Sequence, residues 1–337
     1  MNILDKTLSE IEEYLSGEPK FRAKQIYKWM YSGAQSFDDM SNISKTLREK
    51  LANDFYIHIP TIKKKLCSKI DGTVKYLFEM RDGAFAEGVV MKYKYGLSMC
   101  ISSQVGCRMG CAFCASTLLG LERNLTPGEI MGQILAAQRD MGERIHSIVM
   151  MGSGEPFDNA DNVFKFLENA THPDGLGLGA RHITISTCGI LKGIRRLADS
   201  GMQVNLSISL HAPNDDIRRQ TMPIAKAVSI DELVGEARDY FNKTHRRVTF
   251  EYALIEGVND GKEHALELLK LLDGKEDFHI NLIPVNAVKE RNFKRSGRER
   301  IDNFANTLIR GGLKATVRRE MGADINAACG QLRNSNL

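Results

Sequence analysis

Residues 98–116 read SMCISSQVGCRMGCAFCAS, and the reading of the fold turns on the spacing Cys107-xxx-Cys111-xx-Cys114 just after an apolar, strand-like run. Glycines at 106 and 110 allow the tight backbone reversals that bring three thiolates to one centre. Clustered thiolates select zinc or iron–sulfur. A structural zinc site takes four ligands and usually repeats its CxxC, yet Cys111–Cys114 is the only CxxC in the chain. Three ligands suit an iron–sulfur cluster that keeps one iron open to a substrate or cofactor. Structural zinc, or buried cysteines without a metal, are the competing readings.

Outward from this stretch, short apolar runs at 98–103, 145–151, 182–187, 203–210, 247–255, 278–285 and 314–319 alternate with helical patterns. Thr126-Pro127-x-Glu129 supplies an N-cap hydroxyl, a proline at N1 and a capping-box carboxylate. Ser229 with Glu232 repeats the capping pair, and a helix over 189–200 stops at Gly201. Six or seven βα units predict a parallel α/β sheet with its chemistry on loops at the strands' carboxyl ends. The pattern alone fits a full barrel, a partial barrel or an open sheet.

Upstream, the first 55 or so residues read as helical, with FRAKQIYKWMYSG running from Phe21 to a stop at Gly33. Residues 60–96 alternate like strands around Asp71-Gly72 and Asp82-Gly83 turns. The expected division is an accessory domain over 1–95 and a catalytic domain over 96–337.

A chain of 337 residues with 42% hydrophobic and 26% charged residues can bury a large core, which excludes disorder as a description of the whole. No run approaches the roughly 18 apolar residues of a membrane span, and MNILDKTLSEIEEYL lacks a signal peptide's order, so a soluble cytoplasmic protein is expected. The net charge of +4 is uneven: residues 286–337 hold 11 Lys and Arg against 5 Asp and Glu. Seven cysteines, three of them within eight residues, point to metal or redox chemistry rather than a disulfide framework.

The cysteine motif, with RNLTPGEI, IVMMGSGEPFDN, HITISTCGI, NLSISLHAP, NLIPVN and GADINAACGQL, resembles the radical S-adenosylmethionine (SAM) superfamily and, within it, the RlmN/Cfr RNA methyltransferases. The resemblance covers essentially the whole chain. It implies a partial (β/α)6 radical-SAM barrel with a small amino-terminal accessory domain of helices and antiparallel strands. It also implies a [4Fe–4S] cluster on Cys107, Cys111 and Cys114, with SAM on the fourth iron. SAM contacts carry over to Gly154, Glu155, Ser186, Ser209, Leu210, His211 and Asn286. Ser153 stands where the family usually has Met, a departure expected to leave the backbone contact intact.

By the same resemblance, Cys329 is methylated by one SAM, and a radical from a second SAM takes a hydrogen from that S-methyl group. The carbon radical then adds to an adenine ring. Cys100 is implied as the resolving thiol, attacking the Cys329 sulfur to leave a transient disulfide, and Glu87 as the base for the ring proton. On sequence alone Glu87 also reads as an exposed carboxylate at a strand edge. Cys67 and Cys188 read as structural.

The implied substrate is one adenine of 23S rRNA at the peptidyl-transferase centre, methylated at C2, and in some relatives the adenine beside the tRNA anticodon. Arg22, Lys24, Lys28, the 63–65 lysines, Lys289, Arg291, Lys294, Arg295, Arg298 and Arg300 are the expected phosphate contacts. The implied partners are RNA and a low-potential electron donor such as flavodoxin or ferredoxin, with the enzyme acting as a monomer. Three rivals stand beside this reading. One is Cfr-type C8 methylation, against which Pro156 speaks, the C8 enzymes having Ala there. Another is a different radical SAM reaction, such as glycyl-radical activation, against which the matching contexts of Cys100 and Cys329 speak. The last is a non-catalytic RNA-binding assembly factor with a structural metal.

Overall fold

In the computed structural model, which describes residues 1–273, 277–286 and 288–332, each apolar run named above is a strand. Arg333 of the basic tail lies outside the described residues. Three helices come first, α1 (Leu8–Tyr14), α2 (Lys20–Tyr31) and α3 (Lys45–Asp54). An antiparallel meander follows, β1 (Thr61–Cys67), β2 (Val74–Glu79) and β3 (Phe85–Tyr93). Its turns fall where the Asp-Gly pairs place them, with Asp71 accepting from Thr73 N at 3.0 Å and Asp82 from Ala84 N at 3.1 Å.

The parallel array opens with β4 (Gly96–Cys100), and a small hairpin, β5 (Gln104–Gly106) with β6 (Leu121–Asn124), brackets the cysteine loop. Beyond it come α4 (Pro127–Met141), β7 (Ile145–Met150), α5 (Ala160–Thr171), β8 (Ile183–Thr187), α6 (Leu191–Asp199) and β9 (Asn205–Ser209). The chain continues through α7 (Asp215–Thr221), α8 (Ile230–Thr244), β10 (Val248–Leu254), α9 (Lys262–Leu271), β11 (Phe278–Pro284), α10 (Arg298–Arg310) and β12 (Lys314–Val317). The capping boxes at Thr126/Glu129 and Ser229/Glu232 both form.

One ten-stranded sheet runs β1-β2-β3-β4-β7-β8-β9-β10-β11-β12, antiparallel up to β4 and parallel from there on. The point between residues 95 and 96 lies inside the β3–β4 hairpin, so the meander widens the parallel sheet rather than forming a second one. Among the described residues β12 pairs only with β11, which leaves the barrel partial.

The helices α4 to α6 and α8 to α10 shield the outer face of the parallel strands, and one hydrophobic core joins them to the amino-terminal helices. Asp5 accepts from Gly128 N at 2.9 Å, a carboxylate at the positive end of α4. Tyr27 donates to Asn169 on α5 at 2.9 Å. A second, smaller cluster joins Val89 and Met91 of β3 and Cys100 of β4 to Met321, Ala327 and Leu332, so the carboxy-terminal segment roofs the β3–β4 face.

Candidate active site

The cysteine loop is clasped at its neck. Cys107 N donates to Gly120 O at 2.9 Å, and Gly106 sits beside that carbonyl with φ +75°. A Cβ at Gly106 would overlap Gly120 O, and an L side chain resists this φ as well. A Gly106→Ala protein should therefore lose about 1–3 kcal/mol of stability and the registry of the loop. Denaturant unfolding, together with iron and sulfide content after reconstitution, checks this.

Beyond the neck, Cys107, Cys111 and Cys114 line a cavity of about 160 Å³ at the carboxyl ends of the parallel strands. The same cavity is lined by Gly154, Glu155, Ser186, Ser209, His211, Asn286 and Cys329, so it gathers most of the residues singled out in sequence. Leu210 is fully buried and donates its N–H to Glu251 O at 3.0 Å instead. Cys100 lines a second, smaller cavity of about 40 Å³, which shares Cys329, Asn286, Met151 and Arg318 with the first. Glu87 lines neither.

Donor chemistry at the loop fits a cationic iron–sulfur group. Burial pushes the Cys107 thiol up to about 12, and the Cys111 and Cys114 thiols also upward, with the neighbouring thiols adding to it at Cys107 and Cys111. Three thiolates this close, Cys107 buried and the other two half-buried, are unfavourable until positive charge joins them. Among the described residues no three His, Cys, Asp or Glu side chains close to the spacing of a single metal ion. Arg218 stands behind the loop, fully buried, and donates to Cys188 O at 2.9 Å and Val228 O at 3.1 Å. Its positive charge favours negative charge at Cys111, drawing that thiol's pKa down against burial, and Cys188 and Cys111 in turn favour the charged guanidinium.

Opposite the cysteines, Gly154 has φ +106°, and a Cβ there would stand 2.7 Å from Gln104 Cβ and Ser103 Oγ. Glu155 takes Cys188 N at 2.7 Å and Phe157 N at 3.0 Å on its two oxygens, while burial raises its pKa. His211 adopts a left-handed φ of +55°, uncommon for a residue with a side chain. Its Nδ1 accepts from Ala253 N at 2.8 Å, and burial, with Arg218 nearby, lowers its pKa to about 3. The imidazole is therefore neutral at physiological pH, and Phe113 of the cysteine loop packs edge-on against it at 4.8 Å.

The segment bearing Cys329 is sewn onto this site through its backbone. Asn286 donates to Cys329 O at 3.0 Å, Ala115 N to Gly330 O at 2.8 Å, and Ser116 Oγ to Leu332 O at 2.7 Å. Ser153, at the departure from the family pattern, is buried with its hydroxyl 3.2 Å from Ser116 Oγ, so it joins this seam.

Two cationic residues escaped the sequence reading. The Arg318 guanidinium is held charged by Cys329 first, then by Glu251 and Cys100, and donates to Met151 Sδ at 3.4 Å. Burial pushes the Cys100 thiol up to about 12 and Cys329 adds to this, while Arg318 draws it down. Lys75 of β2 meets Glu87 of β3 at 2.8 Å, and the two side chains are 3% and 0% exposed. The expectation of an exposed edge carboxylate at Glu87 is thereby corrected: β3 lies between β2 and β4, with the 321–332 segment across this face. The only clue available in sequence was the spacing of two opposite charges across an Asp-Gly turn.

Of the expected phosphate contacts, several already face carboxylates: Lys63 with Glu79, Lys65 with Asp140, Arg295 with Glu320, Arg298 with Asp302 and Arg300 with Asp260. Among the described residues no helix is long and apolar enough to cross a membrane. All seven cysteines are free thiols.

Residues 101–269 match the Radical SAM superfamily, and residues 1–57 match the ribosomal RNA large subunit methyltransferase N-terminal domain. A protein of Clostridium novyi named as a probable dual-specificity RNA methyltransferase RlmN is 56% identical over 99% of this chain and 98% of its own length. A protein of the same name from Alkaliphilus oremlandii is 57% identical over 100% of this chain and 98% of its own length. The crystal structure of a radical SAM methyltransferase from Sphaerobacter thermophilus superposes with a TM-score of 0.94 at 44% identity, covering 99% of this chain and 100% of that one.

Proposed function

This chain belongs to the RlmN family of radical SAM RNA methyltransferases, and from that membership we propose that it methylates C2 of one adenine in 23S rRNA at the peptidyl-transferase centre, and the adenine beside the tRNA anticodon. The observation that carries the reading is the sharing of one cavity by three loop cysteines and Cys329, with Cys100 in the adjoining one.

Members of this family use a [4Fe–4S] cluster and SAM, and Cys107, Cys111 and Cys114 are the residues that would hold the cluster here. When bound, the pair supplies a methyl group and the one-electron chemistry that makes a carbon radical. Adenine C2 lies between two ring nitrogens and is electron-poor, so a displacement with the ring carbon as nucleophile is closed to it. Cys329 answers this by holding the methyl carbon as a thioether. Cys100 then attacks the Cys329 sulfur as a thiolate: an S–S bond forms, the S–CH2 bond breaks with its electron pair passing to the base, and the methylene carbon takes up a proton to become the methyl group. Glu87 accepts the proton from the attacked ring carbon, Gly154 and Glu155 bind SAM through their main chain and carboxylate, and neutral His211 packs Phe113 over the loop. Ser186, Ser209 and Asn286 complete the SAM pocket, with Leu210 buried behind its wall.

The target base must leave its stack to reach so enclosed a site, which favours a loop or single strand. A flavodoxin- or ferredoxin-type donor, monomeric action and a cytoplasmic setting complete the proposal. Mass spectrometry of RNA nucleosides after reaction with SAM carrying a CD3 methyl group tests it. The expected product is 2-methyladenosine with two deuterium atoms, because the methyl carbon passes through a methylene. Three deuterium atoms, or a C8 product, would overturn the route or the regiochemistry.

A further inference from the structure

On β3 the side chains of Val89, Met91 and Tyr93 alternate onto the face roofed by the Cys329 segment. Tyr93 ends that row, and Tyr95, in the hairpin turn to β4, stacks on it with centroids 5.1 Å apart and planes 4° from parallel. Tyr95 is 65% exposed, an unusual place for a large ring. Next to it, Gly96, at φ +118°, lies so close to His146 that a Cβ there would overlap the imidazole, so the turn needs glycine at this point. Both tyrosines line a cavity of about 390 Å³ whose other side carries Arg181, His182 and Arg318, and none of the side chains lining it is acidic. Tyr93 and Arg318 also line the cavity that holds Cys100 and Cys329, so the two spaces adjoin.

We propose that the Tyr93–Tyr95 stack is a platform for a nucleotide flanking the target base, with Arg181 and His182 facing its phosphate. The inference rests on the RNA-methylating function proposed above and adds where the strand lies. Every nucleobase offers a π face, so an aromatic platform beside cations takes single-stranded RNA without reading its sequence. An offset pair presents one free ring face outward, and the exposed face of Tyr95 is where a base adds to the stack.

The test uses the reconstituted protein and an RNA hairpin with the target adenine in its loop, with 2-aminopurine placed on one side of the target or the other. Wild-type protein should quench the fluorescence at one flank. Tyr95→Ala should lose that quench and bind about ten-fold more weakly, while Tyr95→Phe keeps both. Arg181→Ser should lower the slope of log affinity against log salt by about one. A Tyr95→Ala protein that quenches and binds like wild type overturns the platform and leaves the methylation reading standing. Wild-type protein that does not bind the hairpin overturns both.

Discussion

A Cys329→Ala protein should form no methylated RNA, and a Cys100→Ala protein should hold its RNA covalently. The first variant is a chemical rather than a structural change. Cys329 meets its neighbours through its carbonyl, which accepts from Asn286, and alanine keeps that bond. Unfolding should therefore be near wild type, and the loss of product belongs to the missing sulfur. Cys100 is buried among Val89, Met91, Met321 and Ala327, and truncating it to alanine should cost about 1 kcal/mol, too little to unfold the chain. Without its sulfur nothing attacks Cys329, and the methylene link to the base persists as a band on a denaturing gel that nuclease removes. Release of methylated RNA by the Cys100→Ala protein at the wild-type rate would refute the resolving role. The wild-type protein adds a pH signature. With the thiol pushed up to about 12, the thiolate fraction rises tenfold per pH unit, so release should accelerate with pH wherever Cys100 attack limits it.

The part of this site that was legible in sequence is the part built from local spacing. CxxxCxxC, the capping boxes and the strand–helix alternation are short-range patterns, and each reappears as a loop, a helix start or a strand. The part that was not legible comes from chain segments far apart in sequence. Asp324 accepts from Ser68 Oγ at 2.6 Å and Lys69 N at 2.9 Å, and Asp71 accepts from Gly322 N at 2.9 Å. These bonds fasten the Cys329 segment to the turn region after β1, some 250 residues away, and no periodicity encodes them. The same segment turns the alternating face of β3 from an exposed one into a buried one, which is why the competing reading of Glu87 as an exposed edge carboxylate fails. Arg318 looked like one more basic residue of the tail until β12 carried it between two cysteines and Glu251.

Lys75→Met should destabilise the protein by about 3–5 kcal/mol, because it removes one half of a buried ion pair and leaves the Glu87 charge without its cation. The pair lies 2.8 Å apart with both side chains nearly inaccessible, so solvent cannot replace the lost partner. Lys75 also donates to Asn326 O at 3.2 Å, three residues before Cys329, so its loss should loosen the segment that bears Cys329. Removing both charges separates stability from chemistry. The double variant Lys75→Met/Glu87→Leu should regain most of the lost stability, since two apolar side chains replace the pair without leaving a buried charge. It should nevertheless form no product if Glu87 is the proton acceptor. Urea denaturation of the two single variants and the double variant, beside nucleoside mass spectrometry of their products, makes the comparison. A single variant within about 1 kcal/mol of wild type would show the pair to be energetically idle. A stable double variant that still methylates would move the proton from Glu87 to another acceptor.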